Sequence, residues 1–106
     1  MTPDLTLPLF VAGREFAGDM ADRLGTVTDR SIVVDATGLA SGTSSFAAEL
    51  VHRILVEGKA AELILVGAPA QFVEYAREAA QDDGVTAALQ ISRELPVALP
   101  RSAKAD

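Results

Sequence analysis

The sequence predicts a single α/β domain with a mixed sheet of about four strands and about three helices. Two short apolar runs, Ser31–Asp35 and Glu62–Val66, are typical of buried strands. The segments around them carry apolar residues at every third or fourth position, a spacing typical of amphipathic helices. Because strands and helices alternate along the chain, we expect crossover connections within one sheet.

The N-terminal half of the predicted fold begins with a weak strand over residues 5–12. Pro8 interrupts this segment and has no N–H to donate, so the strand belongs at an edge of the sheet. A first helix begins at Arg14 and ends at Gly25. Its apolar face carries Phe16, Met20 and Leu24.

Two further helices and a last strand complete the prediction. The second helix ends at Gly58, and its apolar rows are Phe46, Leu50, Ile54 and Ala47, Val51, Leu55. The third helix follows Pro69, ends at Gly84 and has an apolar face of Phe72, Val73, Ala76, Ala79 and Ala80. The last strand covers residues 85–92. The predicted core contains Val33, Leu50, Ile54, Leu63, Leu65 and Phe72, and Phe46 is expected to be core packing instead of a ligand platform.

Composition excludes several classes of function. The 106 residues suit one domain, with a core over about residues 5–92 and a flexible tail over residues 96–106. A net charge of −6 without a basic cluster argues against nucleic acid and anionic lipid as partners. The chain has no cysteine and one histidine, so we expect no metal and no other cofactor. With no signal peptide and no apolar run near the roughly 20 residues of a membrane span, a cytoplasmic protein is expected.

The candidate functional site is the loop that follows Asp35. Residues 36–50, "ATGLASGTSSFAAEL", contain two glycines and five hydroxyl residues. Such loops lie at the carboxyl edge of a parallel sheet, where helix N-termini present unpaired N–H groups. Asp35 is expected to accept hydrogen bonds from the loop backbone. The candidate binding residues are Asp35, Gly38, Gly42, Thr43, Ser44 and Ser45.

The three consecutive hydroxyl residues allow two interpretations. In one, a single hydroxyl caps the helix and the other two are exposed to solvent. In the other, one hydroxyl is a phosphorylation site whose added charge alters the docking of a partner.

The segment "IVVDATGLASGTSSFAAELVHRILVEG" resembles the STAS-like family, which is related to anti-sigma-factor antagonists. The shared features are a strand ending in Asp, a hydroxyl pair followed by Phe-Ala and an acidic residue, and an amphipathic helix. These positions are Asp35, Ser44, Ser45, Phe46, Ala47 and Glu49, and the upstream "GREFAGDMADRL" is also similar.

The resemblance implies a non-enzymatic regulatory interaction module in signalling. Its expected partner is a histidine-kinase-type ATPase or an anti-sigma factor. Ser44 matches the serine that is phosphorylated in the family's antagonists. Thr43 stands where those antagonists carry Asp.

Other functions find less support in the residues. His52 is expected on a solvated helix face beside Glu49 and Arg53, so no convergent catalytic groups are visible. A receiver domain would need an acidic pair and a late lysine, which the chain lacks at the required places. The loop has no lysine after its second glycine, as a P-loop requires. A small-ligand or nucleotide-binding module using the same loop remains the alternative.

Overall fold

A computed structural model describes residues 3–93, and the predicted tail over residues 96–106 lies outside them. In chain order the elements are β1 (Leu5–Thr6), β2 (Phe10–Val11), α1 (Arg14–Leu24), β3 (Ser31–Asp35), β4 (Ser41–Gly42), α2 (Ser44–Val51), β5 (Glu62–Val66), α3 (Ala70–Asp82) and β6 (Leu89–Ser92). A π-helical segment, His52–Glu57, continues α2, and a 3₁₀ turn, Thr86–Ala88, precedes β6.

The α/β fold class is confirmed, with a four-stranded sheet in the order β1-β3-β5-β6 and three α-helices in the described part of the chain. The prediction of a mixed sheet is wrong, because all three strand pairs are parallel. Each helical crossover returns the chain to the end of the sheet where the previous strand began. Since strand order follows chain order and such crossovers are right-handed, the helices lie on one face.

The N-terminal strand is divided at Pro8. Residues 5–6 pair with β3 in the main sheet, whereas residues 10–11 pair in parallel with β4 in a separate two-stranded sheet. Proline contributes no backbone donor, so one continuous ladder through residues 5–12 is not available. The chain therefore leaves the main sheet at Pro8 and reaches the loop that follows Asp35.

The main core lies between the sheet and the helices. Ile32 and Val34 of β3 and Leu63 and Leu65 of β5 belong to it, together with Phe46, Leu50, Ile54 and Phe72. Val33 is also buried, as predicted, but it is not part of this cluster. Because side chains alternate along a strand, Val33 projects from the face opposite the helices.

The boundaries of helices and strands follow the prediction closely, with two differences. The second helix changes to π geometry at His52, and Gly58 N–H donates to the Arg53 carbonyl at 2.9 Å. Both apolar rows stay buried at Ile54 and Leu55 through this change. The last strand begins at Leu89, later than predicted, because residues 86–88 form the 3₁₀ turn.

Candidate functional site

Asp35 organises the turn that begins the candidate loop. Its Oδ1 accepts a hydrogen bond from Thr37 N–H at 3.0 Å and another from the Thr37 hydroxyl at 2.6 Å. These two bonds lower the pKa of the Asp35 carboxyl below its ordinary value, because they favour the charged form. Asp35 therefore accepts a hydrogen bond from the loop backbone, as predicted.

The backbone in the middle of the loop is hydrogen-bonded to the N-terminal segment that contains β2. Ala40 N–H donates to the Leu9 carbonyl at 2.8 Å, and Thr43 N–H donates to the Val11 carbonyl at 3.1 Å. These bonds hold β4 beside β2, a pairing that the sequence did not predict. Around it, Thr37, Gly38, Ala40, Ser41, Thr43 and Ser44 are exposed.

The two glycines of the loop have different surroundings. A Cβ placed on Gly42 would lie 2.6 Å from Cδ1 of Phe72 and 2.8 Å from Cγ2 of Val11, both in buried side chains. A Cβ on Gly38 would meet no atom within 4 Å. Neither glycine has the positive φ that favours this residue type. Close packing under the loop therefore requires Gly42, and the turn itself requires neither glycine.

We expect Gly42→Ala to lower the free energy of unfolding by about 1–3 kcal/mol, because the added methyl group overpacks the core at Phe72. Gly38→Ala is the matched control from the same loop and should change stability by no more than about 1 kcal/mol. Urea unfolding of both variants measures the difference. Equal stabilities would contradict the close approach of the loop to Phe72.

Thr43 caps the second helix. Its Oγ1 accepts a hydrogen bond from Phe46 N–H at 3.2 Å and another from Gly13 N–H at 3.2 Å. The same oxygen lies 3.2 Å from the Ser45 hydroxyl. The Thr43 hydroxyl therefore accepts from backbone donors at the start of both α1 and α2. Of the three hydroxyl residues that could cap the second helix, Thr43 is the one that does.

Ser44 is the first residue of α2 and is exposed. Within residues 3–93, its hydroxyl has no hydrogen bond to the protein. It lines a cavity of about 200 Å³ together with Arg14, Ser45, Tyr75 and Glu78. The Thr43 and Ser45 hydroxyls are engaged at the helix start, whereas Ser44 is exposed.

Charged groups along the first two helices form ion pairs on the protein surface. Glu49 lies 3.0 Å from Nε of Arg53 and 3.4 Å from Nη1 of Arg14. The hydrogen bond from Arg53 lowers the pKa of Glu49 below its ordinary value. Arg53 also lies 3.3 Å from Asp22, so it connects the π-helical segment to α1.

His52 lies on the helix surface, between two carboxylates. Its Nδ1 is 3.3 Å from Asp83 and its Nε2 is 3.3 Å from Glu57. Among the described residues, no group of three or more His, Cys, Asp or Glu side chains is placed to hold a metal ion. None of the helices within residues 3–93 combines the length and the apolar character that crossing a bilayer requires.

Sequence reasoning missed two residues of this region, Leu9 and Phe10. They are 57% and 64% exposed and lie in the segment that was predicted only as a weak edge strand. Phe10 is the register partner of Ser41, so both side chains lie on the outer side of the two-stranded sheet. The one available signal was Pro8, which predicts an edge position.

Comparisons with protein-family models, curated proteins and solved structures gave no match to this chain. The likeness to the STAS-like family therefore depends on the motif from Asp35 to Glu49 and stays a prediction.

Proposed function

We propose that the protein is a non-enzymatic regulatory interaction module of the STAS-like kind. It docks a protein partner through the loop from Gly38 to Ser45 and the start of α2. The observation that carries this proposal is that the three consecutive hydroxyl residues differ in hydrogen bonding and exposure. Thr43 caps the helix and contacts Ser45, while Ser44 is exposed at the first helical position.

Ser44 is the proposed phosphorylation site. A phosphate there would meet the N-terminal end of α2, where the helix dipole and unpaired N–H groups favour negative charge. Arg14 supplies a cation to the same cavity, whose lining also includes the carboxylates of Glu78 and Asp82. The capping oxygen of Thr43 would be unaffected, so modification of Ser44 changes the charge of the surface without removing the cap.

The partner proposed from the family resemblance is a histidine-kinase-type ATPase or an anti-sigma factor. The net charge of −6 supports a protein partner over nucleic acid. The cavity beside Ser44, at about 200 Å³, is smaller than the roughly 300–1,000 Å³ typical of small-ligand sites. This size favours docking of a protein surface over the alternative of a nucleotide-binding module.

Ser44→Asp is expected to change the affinity for the partner at least about fivefold, a difference of about 1 kcal/mol. Its melting temperature should stay near that of the unmodified protein, because an acidic residue is favourable at a helix N-terminus. The partner is first isolated from the native host by pull-down with the unmodified protein. Calorimetry then compares Ser44→Asp and Ser44→Ala with the unmodified protein.

Gln71→Asp is the matched control, because it adds the same charge to the first turn of α3 at another exposed position. It should bind the partner as the unmodified protein does. Equal affinities for every form would remove Ser44 from the mechanism and leave the loop a structural turn. A small molecule released from the purified protein in mass spectra, with no partner recovered, would support the ligand-binding alternative.

A further inference from the structure

The main sheet has a second apolar face, opposite the helices. Val33 of β3 and Ile64 of β5 are register partners, so their side chains lie beside each other on this face. Val66 follows two residues after Ile64 and points to the same side. None of the three belongs to the main core cluster or packs against it. They form a separate apolar group on the two central strands, here called the second face.

The second face is buried although the helices lie on the other side of the sheet. Val33 is 5% exposed and Val66 is 0% exposed. All strand pairs of this sheet are parallel, and parallel sheets are almost always covered on both faces. Within residues 3–93, the three α-helices lie on the first face, and Val11 of the two-stranded sheet belongs to the main core. A layer over the second face would therefore come from outside these residues.

The chain after β6 carries the apolar residues that such a layer needs. Residues 94–100 read "ELPVALP", with Leu95, Val97 and Leu99 at alternate positions. Each proline in this segment biases the residue before it towards extended backbone. In an extended segment, alternate side chains point to the same side. The sequence is therefore suited to present three large apolar side chains to one surface.

The segment also begins within reach of the second face. Ser92 ends β6 and is the register partner of Val66, so the chain leaves the sheet beside this face. Adjacent strands lie about 4.8 Å apart, and an extended chain advances about 3.3 Å per residue. Three or four residues therefore suffice to reach β3, two strands away. Addition to the free edge of β6 fits less well, because proline has no N–H for a ladder.

Charge favours this segment over a second copy of the chain as the occupant. Asp35 and Glu62 place carboxylates at opposite edges of the second face. Two copies packed through this face would bring four carboxylates into one interface, and each copy has a net charge of −6. Residues 95–104 contain two cationic side chains and no carboxylate. The segment thus complements the charge of the face, which a second copy does not.

We propose that residues 95–99 cross the second face and cover Val33, Ile64 and Val66, with Val97 at the centre of the contact. The covered side chains then form a second, smaller core. The proposal limits the flexible tail that the sequence predicts to residues 101–106. Because the cover belongs to the same chain, it should be present in the purified protein at any concentration.

Alkylation of an introduced thiol measures whether the second face is covered. The whole chain has no cysteine, so Val33→Cys places a single thiol under the proposed cover. It should react at least about tenfold more slowly than Gln90→Cys, which is an exposed position of the same face. The rate should be the same at about 5 µM and about 500 µM protein, because an intramolecular contact does not follow mass action.

Val97→Asp tests whether the proposed segment is the cover. A buried carboxylate without a partner is unfavourable, so the Val33→Cys thiol should react at least about fivefold faster in this background. The melting temperature should fall by at least about 4 °C. Ala98→Asp is the matched control, because it adds the same charge at the next position, which would point away from the sheet. It should change neither quantity.

Three results would overturn the proposal. A Val33→Cys thiol that reacts as fast as the Gln90→Cys thiol would show an open face, available to a separate partner. Protection that appears only at the higher protein concentration would assign the face to a second copy. Equal effects of Val97→Asp and Ala98→Asp would exclude the segment as the cover. Melting curves confirm that each variant is folded at the temperature of the alkylation.

Discussion

Replacing Phe46 with alanine is expected to lower the free energy of unfolding by about 3–5 kcal/mol. The side chain is fully buried, and its ring centroid lies 5.6 Å from that of Phe16 and 6.1 Å from that of Phe72. Truncation would open a cavity where α1, α2 and α3 meet. Chemical denaturation at micromolar protein concentration measures the loss.

Phe10→Ala provides the matched control for this truncation. The same atoms are removed from a side chain that is 64% exposed, so stability should change by no more than about 0.5 kcal/mol. The contrast tests whether the loss at Phe46 comes from burial. A stable Phe46→Ala protein that no longer binds its partner would contradict core packing and move Phe46 to the docking surface.

The sheet could be predicted largely because its central strands have a local signal. The apolar runs of β3 and β5 match the observed strands residue for residue. The β2–β4 pairing has no such signal, since Ser41 and Gly42 have little strand propensity. That short ladder depends on tertiary contact between residues far apart in sequence, and only the folded chain reveals it.

The helix boundaries show a similar limit. Gly25 correctly predicted the end of α1, because it adopts a positive φ of 67°. The π geometry from His52 was not predictable, since the apolar rows through Ile54 and Leu55 fit an α-helical spacing equally well. Hydrogen-bond partners, and not apolar spacing, distinguish the two kinds of helix.

At the candidate site, the sequence predicted that a hydroxyl would cap the helix but not which of the three hydroxyl residues it would be. Any of Thr43, Ser44 and Ser45 could have capped the helix, because each has a short side chain with an acceptor oxygen. The pairing with β2 places Gly13 N–H against Thr43 and so selects it. The exposure of Leu9 and Phe10 was not predicted, because large apolar side chains are usually buried.

Replacing Leu65 with alanine is expected to cost about 2–5 kcal/mol of stability. Leu65 lies in the middle of the sheet, with Val34 and Ile91 as its register partners on the two neighbouring strands. It is 2% exposed and belongs to the main core. The two neighbouring strands restrict the movement that would fill the cavity left by truncation. Relaxation of the structure should therefore recover little of the lost stability.

Leu9→Ala removes the same atoms from a side chain that is 57% exposed and is the matched control. It should change stability by no more than about 0.5 kcal/mol, because an exposed side chain loses few contacts on truncation. Urea unfolding of both variants gives the comparison. A loss below about 0.5 kcal/mol for Leu65→Ala would contradict the placement of β5 at the centre of the sheet, because no buried leucine in a packed core is removed at so small a cost.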